Sequence, residues 1–295
     1  MEYLRLIKYP GSKKSLLPDI RETYAGSGSG LFVDVFGGSG LVSLNINASR
    51  IVYNDLNREL VNLFAAVKEN PAFMKESLER LLDVPARYSG PGREPVETED
   101  SPAYYIMRRK ARARNSQLLD RKSLSFLREG GTKIASGREI RAFETLYRFS
   151  TSFGGMGNTY GTQKEKSSYI YLEKTLHDFR KISSCVRRWK IENLDFREVI
   201  AKYDGEGTFF YLDPPYQGKD WYDMTFTRGD YIDMKHLMDS AKGKYLLNLG
   251  LDNSPVSGIF GQPSRVVEYG QKNQSSGGDN RSSGKIGFFM NFRKL

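Results

Sequence analysis

Over its first 66 or so positions the chain alternates between two hydrophobic periods. "KKSLLPDIRETYA" carries apolar residues at helical spacing, "LFVDVF" reads as a strand, "LVSLNINA" as a helix, "RIVYNDL" as a strand and "RELVNLFAAVKEN" as a helix. Alternation of this kind predicts a parallel sheet with helices on its faces. From about Pro71 to Tyr169 the pattern becomes helical and arginine-rich, broken by "RYSGPGREPVETEDSP", which reads as an exposed loop. The α/β alternation then resumes with "KISSCVRRWKIENLDF", the strand "GTFFYLDPPY", the helix "YIDMKHLMDSAK" and the strand "KYLLNLGL". Two last apolar runs, "SRVVEYGQK" and "KIGFFMNF", flank the polar segment "NQSSGGDNRSSG" and predict an antiparallel hairpin at the end of the sheet. The expected organisation is an α/β domain built from 1–66 and 169–295, interrupted by a mainly helical subdomain at 67–168.

Composition narrows the function. The 295 residues, 39% of them hydrophobic and 13% aromatic, suffice for a large core. A single cysteine, Cys185, excludes an intrachain disulfide framework, and the two histidines, His177 and His236, lie far apart, so no dedicated metal cage is expected. No apolar run approaches the roughly 18 residues of a membrane helix, and "MEYLRLIKYPG" lacks the apolar core of a secretion signal. A cytoplasmic protein with neither metal nor membrane partner is the expectation. The net charge of +10 is unevenly spread: between Tyr104 and Lys190 there are 20 Lys and Arg against 7 Asp and Glu. The basicity therefore belongs to the inserted region, where it suits a polyanion such as nucleic acid or, less specifically, a solvated face.

Three motifs carry the candidate chemistry. In "FVDVFGGSG", Phe32 to Gly40, a strand enters a glycine turn before a helix, so bare backbone can approach a ligand. Asp55, at the end of the next strand, is placed to accept from ribose hydroxyls. The pair favours an adenosine-containing cofactor without separating a nicotinamide dinucleotide from S-adenosylmethionine. The spacing departs from G-x-G-x-x-G, and Asp34 within the strand suits a cationic amino-acid group better than a pyrophosphate. The second motif, "KYPGSK", offers the ring of Tyr9 and the cation of Lys13, with Ser12 expected as a helix N-cap.

The third motif is "YLDPPY" at Tyr211 to Tyr216. Two prolines remove two backbone donors and push Asp213 and Pro214 toward extended geometry. The stiff corner offers the Asp213 carboxylate and the Pro214 carbonyl as acceptors, with Tyr216 as a stacking face. An exocyclic amine on a nucleobase has two N–H donors and a flat ring, which matches.

Taken together, "KYPGSK", "FVDVFGGSG", "YNDL", "ENLDF" and "YLDPPY" resemble, in order, the motifs of the Dam-type DNA adenine-N6 methyltransferases. The resemblance covers most of the chain outside the insertion, and it implies a Rossmann-like S-adenosylmethionine methyltransferase domain with an inserted target-recognition region. It implies action on N6 of an adenine flipped out of double-stranded DNA. By motif position Tyr9, Lys13, Asp55 and Asp213 are implied to bind the cofactor, Asp34, Phe36, Gly38 and Gly40 to surround its methionine part, and Asp195 with Phe196 to contact its adenine. Asp213, Pro214 and Tyr216 are implied to hold the target base. Tyr9 stands where many members have tryptophan.

DNA specificity is expected in the insertion. In "LYRFSTSFGGMGNTYGTQ", Arg148 can read guanine, Asn158 can read adenine, and Phe153 or Tyr160 can fill the space of a flipped base. Arg108, Arg109, Arg112 and Arg114 recur at helical spacing and suit phosphate contacts, as do Arg281 and Lys285 in the late hairpin loop. A monomer is expected, with a dimer as the alternative. Methylation of RNA adenine, or a DNA-binding relative without activity, are the readings that the motifs leave as alternatives.

Overall fold

The computed structural model of the chain describes residues 3–82, 136–152, 165–215, 226–251, 257–272 and 281–292. They form, in order, a 3₁₀ turn (Lys14–Leu16), α1 (Leu17–Ser27), β1 (Leu31–Asp34), α2 (Leu41–Asn45), β2 (Arg50–Asn54), α3 (Arg58–Glu69), α4 (Pro71–Leu81), α5 (Gly137–Thr151) and α6 (Glu165–Arg187). There follow β3 (Trp189–Glu192), α7 (Phe196–Tyr203), β4 (Thr208–Leu212), α8 (Arg228–Ser240), β5 (Lys244–Gly250), α9 (Ser257–Phe260), β6 (Arg265–Lys272) and β7 (Arg281–Met290). The chain divides into two compact units, one made of Met1–Arg5, Pro10–Val61 and Arg188–Leu295, the other of Leu6–Tyr9 and Asn62–Arg187.

The first unit is built on a seven-stranded sheet in the order β3-β2-β1-β4-β5-β7-β6. The first five strands run parallel, and β7 is antiparallel to both β5 and β6. This is the α/β architecture with a terminal hairpin that the alternating pattern predicts. Strand β4, Thr208–Leu212, is buried at every position, as expected of a central parallel strand covered on both faces. One face of the core joins Val33, Val35 and Val52 to Phe210, Leu212 and Leu247 of the neighbouring strands, under Val199 and Ile200 of α7 and Tyr231 and Met234 of α8.

Three local expectations are corrected. Ser12 is not a helix cap: the 3₁₀ turn starts after Lys13 with no side-chain cap, and α1 begins at Leu17 with Pro18 in its first turn. A proline there has no N–H to leave unsatisfied and a φ already set for a helix, so it fixes the start in place of a hydroxyl. Helix α2 ends at Asn45 rather than running to Ala48. The Asn45 amide donates to the carbonyls of Leu41 at 2.7 Å and Leu4 at 2.8 Å while accepting from the Leu4 N–H at 2.8 Å, and Ile46 turns extended. Finally, Arg281 and Lys285 belong to β7 instead of the hairpin loop. The backbone ladder runs from Arg281 opposite Lys272 to Lys285 opposite Glu268, with an ion pair of 3.5 Å at the latter. Antiparallel pairing uses main-chain groups, so the polar "RSSGK" extends a strand whose start apolar alternation does not mark.

In the second unit, α4, α5 and α6 pack on one another. Asn70 caps α4 ahead of Pro71, and Ser136 with Glu139 forms a capping box at the start of α5. The Asn70 side chain also donates to Glu139 at 2.5 Å, joining the two helix starts. Met74, Leu78, Phe143, Leu146, Leu172, Phe179 and Ile182 form the buried interior.

Phe210 is 1% exposed at the centre of the sheet. Phe210→Ala is expected to cost about 3–5 kcal/mol, seen as a lower urea midpoint with an unchanged denaturant slope.

Candidate active site

Strand β1 lies between β2 and β4, where the chain, having wound outward through β2 and β3, returns to the other side. A crevice opens at the carboxyl ends of the strands at such a reversal, and ligands of open α/β sheets bind there. Three carboxylates occupy this place: Asp34 ends β1, Asp55 follows β2, and Asp213 follows β4.

Each is held by a different device. Asp34 is 1% exposed and its Oδ2 accepts from the Ser43 hydroxyl of α2 at 2.6 Å. Burial pushes its carboxyl up to about 7 against the pull of that hydrogen bond, and the nearby charges of Asp213 and Asp55 add to the rise. Asp55 accepts from the N–H of Gly38 at 2.7 Å through Oδ2 and from the N–H of Asn57 at 2.8 Å through Oδ1. Burial still raises its pKa over the effect of these donors. Asp213 forms an ion pair of 2.8 Å with Lys13 through Oδ2, the two side chains being 17% and 9% exposed. Burial raises the Asp213 pKa and the Lys13 ammonium opposes the rise. Its other oxygen, Oδ1, is buried and has no hydrogen-bond partner among the described residues.

The glycine turn is shaped for close approach. Gly38 and Gly40 have φ of +51° and +66°, values that disfavour any side chain. A Cβ on Gly37 would lie 2.2 Å from the Tyr53 ring. Beyond the turn, α2 presents its N-terminus, but Asp34 on its near side makes the place suited to a cation as well as to bare polar groups.

Asp195 and Phe196 begin α7. Asp195 is its N-cap, in a capping box with Glu198. The Phe196 ring is 5.9 Å from Phe36 and 5.5 Å from Phe226, and Phe36 and Phe226 are 5.7 Å apart, so the three rings form one cluster. Arg197 stacks over Phe196 at 4.2 Å and pairs with Asp195, Asp230 and Asp233 at 3.2, 2.5 and 2.7 Å. It thereby joins the first turns of α7 and α8.

The proline corner leaves β4 at Asp213. The Tyr231 hydroxyl of α8 donates to the Pro215 carbonyl and holds the exit of the corner. Pro214 is buried between the two. Tyr216 lies outside the described residues.

The first unit thus brings together Lys13, Asp34, Phe36, Gly38, Gly40, Asp55, Asp195, Phe196, Asp213 and Pro214. Tyr9 belongs to the second unit, its ring edge-on to Phe149 at 5.4 Å. Arg148 is in the last turn of α5, its guanidinium 5.2 Å from the Phe149 ring. Arg108, Arg109, Arg112, Arg114, Phe153, Asn158 and Tyr160 lie outside the described residues, as does the side chain of Arg281. Sequence reasoning did not single out Tyr53, Asn54, Arg197 or Tyr231. The first two had a signal, since they stand beside Asp55 within "YNDL". The last two had none, because the partners that give them their place, Asp230 and Asp233 for Arg197 and Pro215 for Tyr231, are remote in sequence. Among the described residues no cluster of His, Cys, Asp and Glu is placed to hold a metal ion, and no helix is long and apolar enough to cross a membrane.

A sheet of this order, with its reversal crevice lined by a glycine turn and acids, defines a Rossmann-like methyltransferase fold. Residues 9–254 match the family described as D12 class N6 adenine-specific DNA methyltransferase, and the chain belongs to that family. It is 24% identical over 298 aligned positions to the type II methyltransferase M1.LlaDCHI of Lactococcus lactis subsp. cremoris, covering 95% of this chain and 91% of that protein. The protein is therefore a DNA adenine-N6 methyltransferase, and its family implies S-adenosylmethionine as the methyl donor.

The buried Asp34 sets a stability signature. Its folded pKa of about 7 lies above the ordinary 3.8, so the protonated form contributes stability that is complete at low pH and is lost as pH rises through about 7. Between about pH 5 and pH 8 the protein is expected to lose on the order of 2 kcal/mol from this residue. Asp34→Asn, which stays neutral, should remove this residue's share of that fall in urea midpoints measured across the range, leaving the contributions of Asp55 and Asp213, whose pKa values burial also raises.

Proposed function

We propose that the crevice at the ends of β1, β2 and β4 binds S-adenosylmethionine beside an adenine N6 held at the Asp213–Tyr216 corner. The observation that carries this reading is the lone buried oxygen Asp213 Oδ1. Lys13 fixes the carboxylate through Oδ2, and Oδ1 is left as a desolvated acceptor with no partner among the described residues. Leaving such an acceptor unsatisfied costs on the order of 1–3 kcal/mol, which an incoming N–H donor relieves. The two prolines supply no competing N–H, and the Pro215 carbonyl is already taken by Tyr231, so Asp213 Oδ1 and the Pro214 carbonyl are the acceptors we assign to the amine. Tyr216 is assigned to stack on the base.

For the cofactor, bare backbone at Gly38 and Gly40 and the buried acid Asp34 fit a ligand with a charged amino group. We assign Asp34, Phe36, Gly38 and Gly40 to the methionine part, Asp55 to the ribose, and Asp195 with Phe196 to the adenine. Tyr9 and Lys13 complete the set, Lys13 with a second task as the counter-ion of Asp213. When bound, the cofactor supplies an electrophilic methyl on sulfonium sulfur. Asp213 Oδ1 and the Pro214 carbonyl localise the N6 lone pair by accepting its N–H donors and align N6 with that carbon. As the new N–C bond forms, the methyl's S–C bond breaks with its electron pair left on sulfur, and the Asp213 carboxylate accepts the proton that N6 releases. Alignment needs no covalent step from the protein and can supply several kcal/mol.

The DNA contacts are assigned to the inserted region, 67–168, with its surplus of Lys and Arg, to Arg108, Arg109, Arg112 and Arg114 on phosphates, and to Arg148, Phe153, Asn158 and Tyr160 near bases. Arg281 and Lys285 are further candidates. We place the protein in a restriction-modification system by analogy with the type II relative.

Incubation of unmethylated plasmid with S-adenosylmethionine, followed by mapping of modified adenines, tests the reading and yields the recognition sequence. Asp213→Ala is expected to lower turnover by at least ~10²-fold, the scale of removing an oriented polar group in a catalytic site. Turnover within a few-fold of wild type would remove Asp213 from the mechanism. In Lys13→Met the cation that opposes protonation of Asp213 is gone, so the Asp213 pKa rises further. The acidic limb of the turnover profile should then move to higher pH, with activity regained as pH increases.

A further inference from the structure

The glycine turn is gripped by three consecutive residues of one strand end. The Tyr53 hydroxyl donates to the Gly38 carbonyl at 2.7 Å, the Asn54 carbonyl accepts from the Gly37 N–H at 2.7 Å, and Asp55 Oδ2 accepts from the Gly38 N–H at 2.7 Å. The Tyr53 ring itself, fully buried and stacked on Trp189 at 5.4 Å, fills the space a side chain on Gly37 would need. Both backbone groups of Gly38 are thus occupied by Tyr53 and Asp55, and the positive φ of that residue is held from two sides.

The Asn54 side chain does something different. Its Nδ2 donates to the Val35 carbonyl at 2.9 Å and to the Leu194 carbonyl at 3.0 Å, and its Oδ1 accepts from the Leu194 N–H at 2.9 Å. The residue is 1% exposed. The Leu194 N–H requires an oxygen opposite it, so the orientation of the amide is fixed, and both amide hydrogens are used. One buried amide therefore spans from the start of the glycine turn to the segment ahead of α7. Asn193 reinforces the same junction, donating to the carbonyls of Asp55 at 2.8 Å and Leu56 at 3.1 Å.

We propose that Tyr53 and Asn54 are positioning residues for the methyl donor, Tyr53 setting the shape of the glycine turn and Asn54 locking that turn to the Leu194–Phe196 segment. The inference rests on the assignment of these two segments to the methionine and adenine parts of the cofactor. Neither residue is assigned a contact with the ligand; their action passes through main-chain groups that line the crevice. Preformed walls reduce the ordering needed on binding, and a shared tether makes the spacing of the two half-sites a property of the strand end. The consequence is graded: loss of the Tyr53 hydroxyl disturbs one half-site, and loss of the Asn54 amide disturbs both.

Calorimetric titration of the full chain with S-adenosylhomocysteine and with 5′-methylthioadenosine, which lacks the amino-acid part, separates these effects. In Tyr53→Phe, which deletes one oxygen and keeps the ring, the dissociation constant for S-adenosylhomocysteine should rise ~5-fold, the worth of one hydrogen bond. That for 5′-methylthioadenosine should stay within ~2-fold. In Asn54→Ala both should rise by ~10-fold or more, three hydrogen bonds being lost. Equal weakening of both ligands in Tyr53→Phe indicates a general loosening of the sheet and overturns the proposal, as do wild-type affinities in either variant. Should Asn54→Ala fail to fold, the ratio of the two affinities in Tyr53→Phe decides alone. If the wild-type protein binds neither ligand, the assignment of the crevice itself fails.

Discussion

The first unit is arranged around one electrostatic problem, the burial of three carboxylates at the ends of three adjacent strands. Like charges brought out of water disfavour each other's ionisation, and the rise in the Asp34 pKa carries contributions from both Asp213 and Asp55. Here each acid is fastened by a separate element: Ser43 of α2 on Asp34, the glycine-turn N–H on Asp55, and Lys13, ahead of the first helical turn, on Asp213. These attachments are what give the crevice its shape, because each one also fixes the segment that supplies it.

Sequence reveals this cluster unevenly. The parallel sheet was legible because strands and helices alternate with periods that differ, and the proline corner was legible because two consecutive prolines leave few conformations. The strand order could then be anticipated only in kind, since register depends on partners such as Asn54 and Leu194, 140 residues apart. Lys13 shows the limit most clearly. Its motif offers a cation, and the structure pairs that cation with the carboxylate of Asp213, a partner that local spacing does not encode. The errors at Ser12 and at the end of α2 have a common origin. A local signal, a hydroxyl before a helix or a run of helix-compatible residues, was outweighed by Pro18 in one case and by the non-local bonds of Asn45 to Leu4 in the other.

The helix starts around the crevice extend the same logic. Helices α7 and α8 each begin with a capping box, so their first turns are defined before any ligand is present. For α7 and α8 the definition is shared, because Arg197 pairs with Asp195 at one start and with Asp230 and Asp233 at the other. Pairs this exposed contribute little each, and a network of three on one planar guanidinium gains its value from geometry. Tyr231, from the same α8, holds Pro215. The corner is therefore fixed at its entry by the ion pair of Asp213 and at its exit by a hydroxyl.

On the proposed reading, this two-ended restraint explains why a carboxylate of raised pKa is suited to the reaction. Burial makes Asp213 a stronger proton acceptor than an exposed aspartate, which strengthens its hydrogen bond to an amine N–H. Burial alone also favours the protonated form, which donates where the carboxylate accepts. Lys13 opposes that outcome through Oδ2 and leaves the buried Oδ1 available. A stronger or closer set of cations would lower the proton affinity too far for the carboxylate to draw on the N–H as the lone pair shifts toward carbon. Among the described residues the cation paired with Asp213 is the Lys13 ammonium, on the far oxygen, where it counters the rise that burial causes without occupying Oδ1.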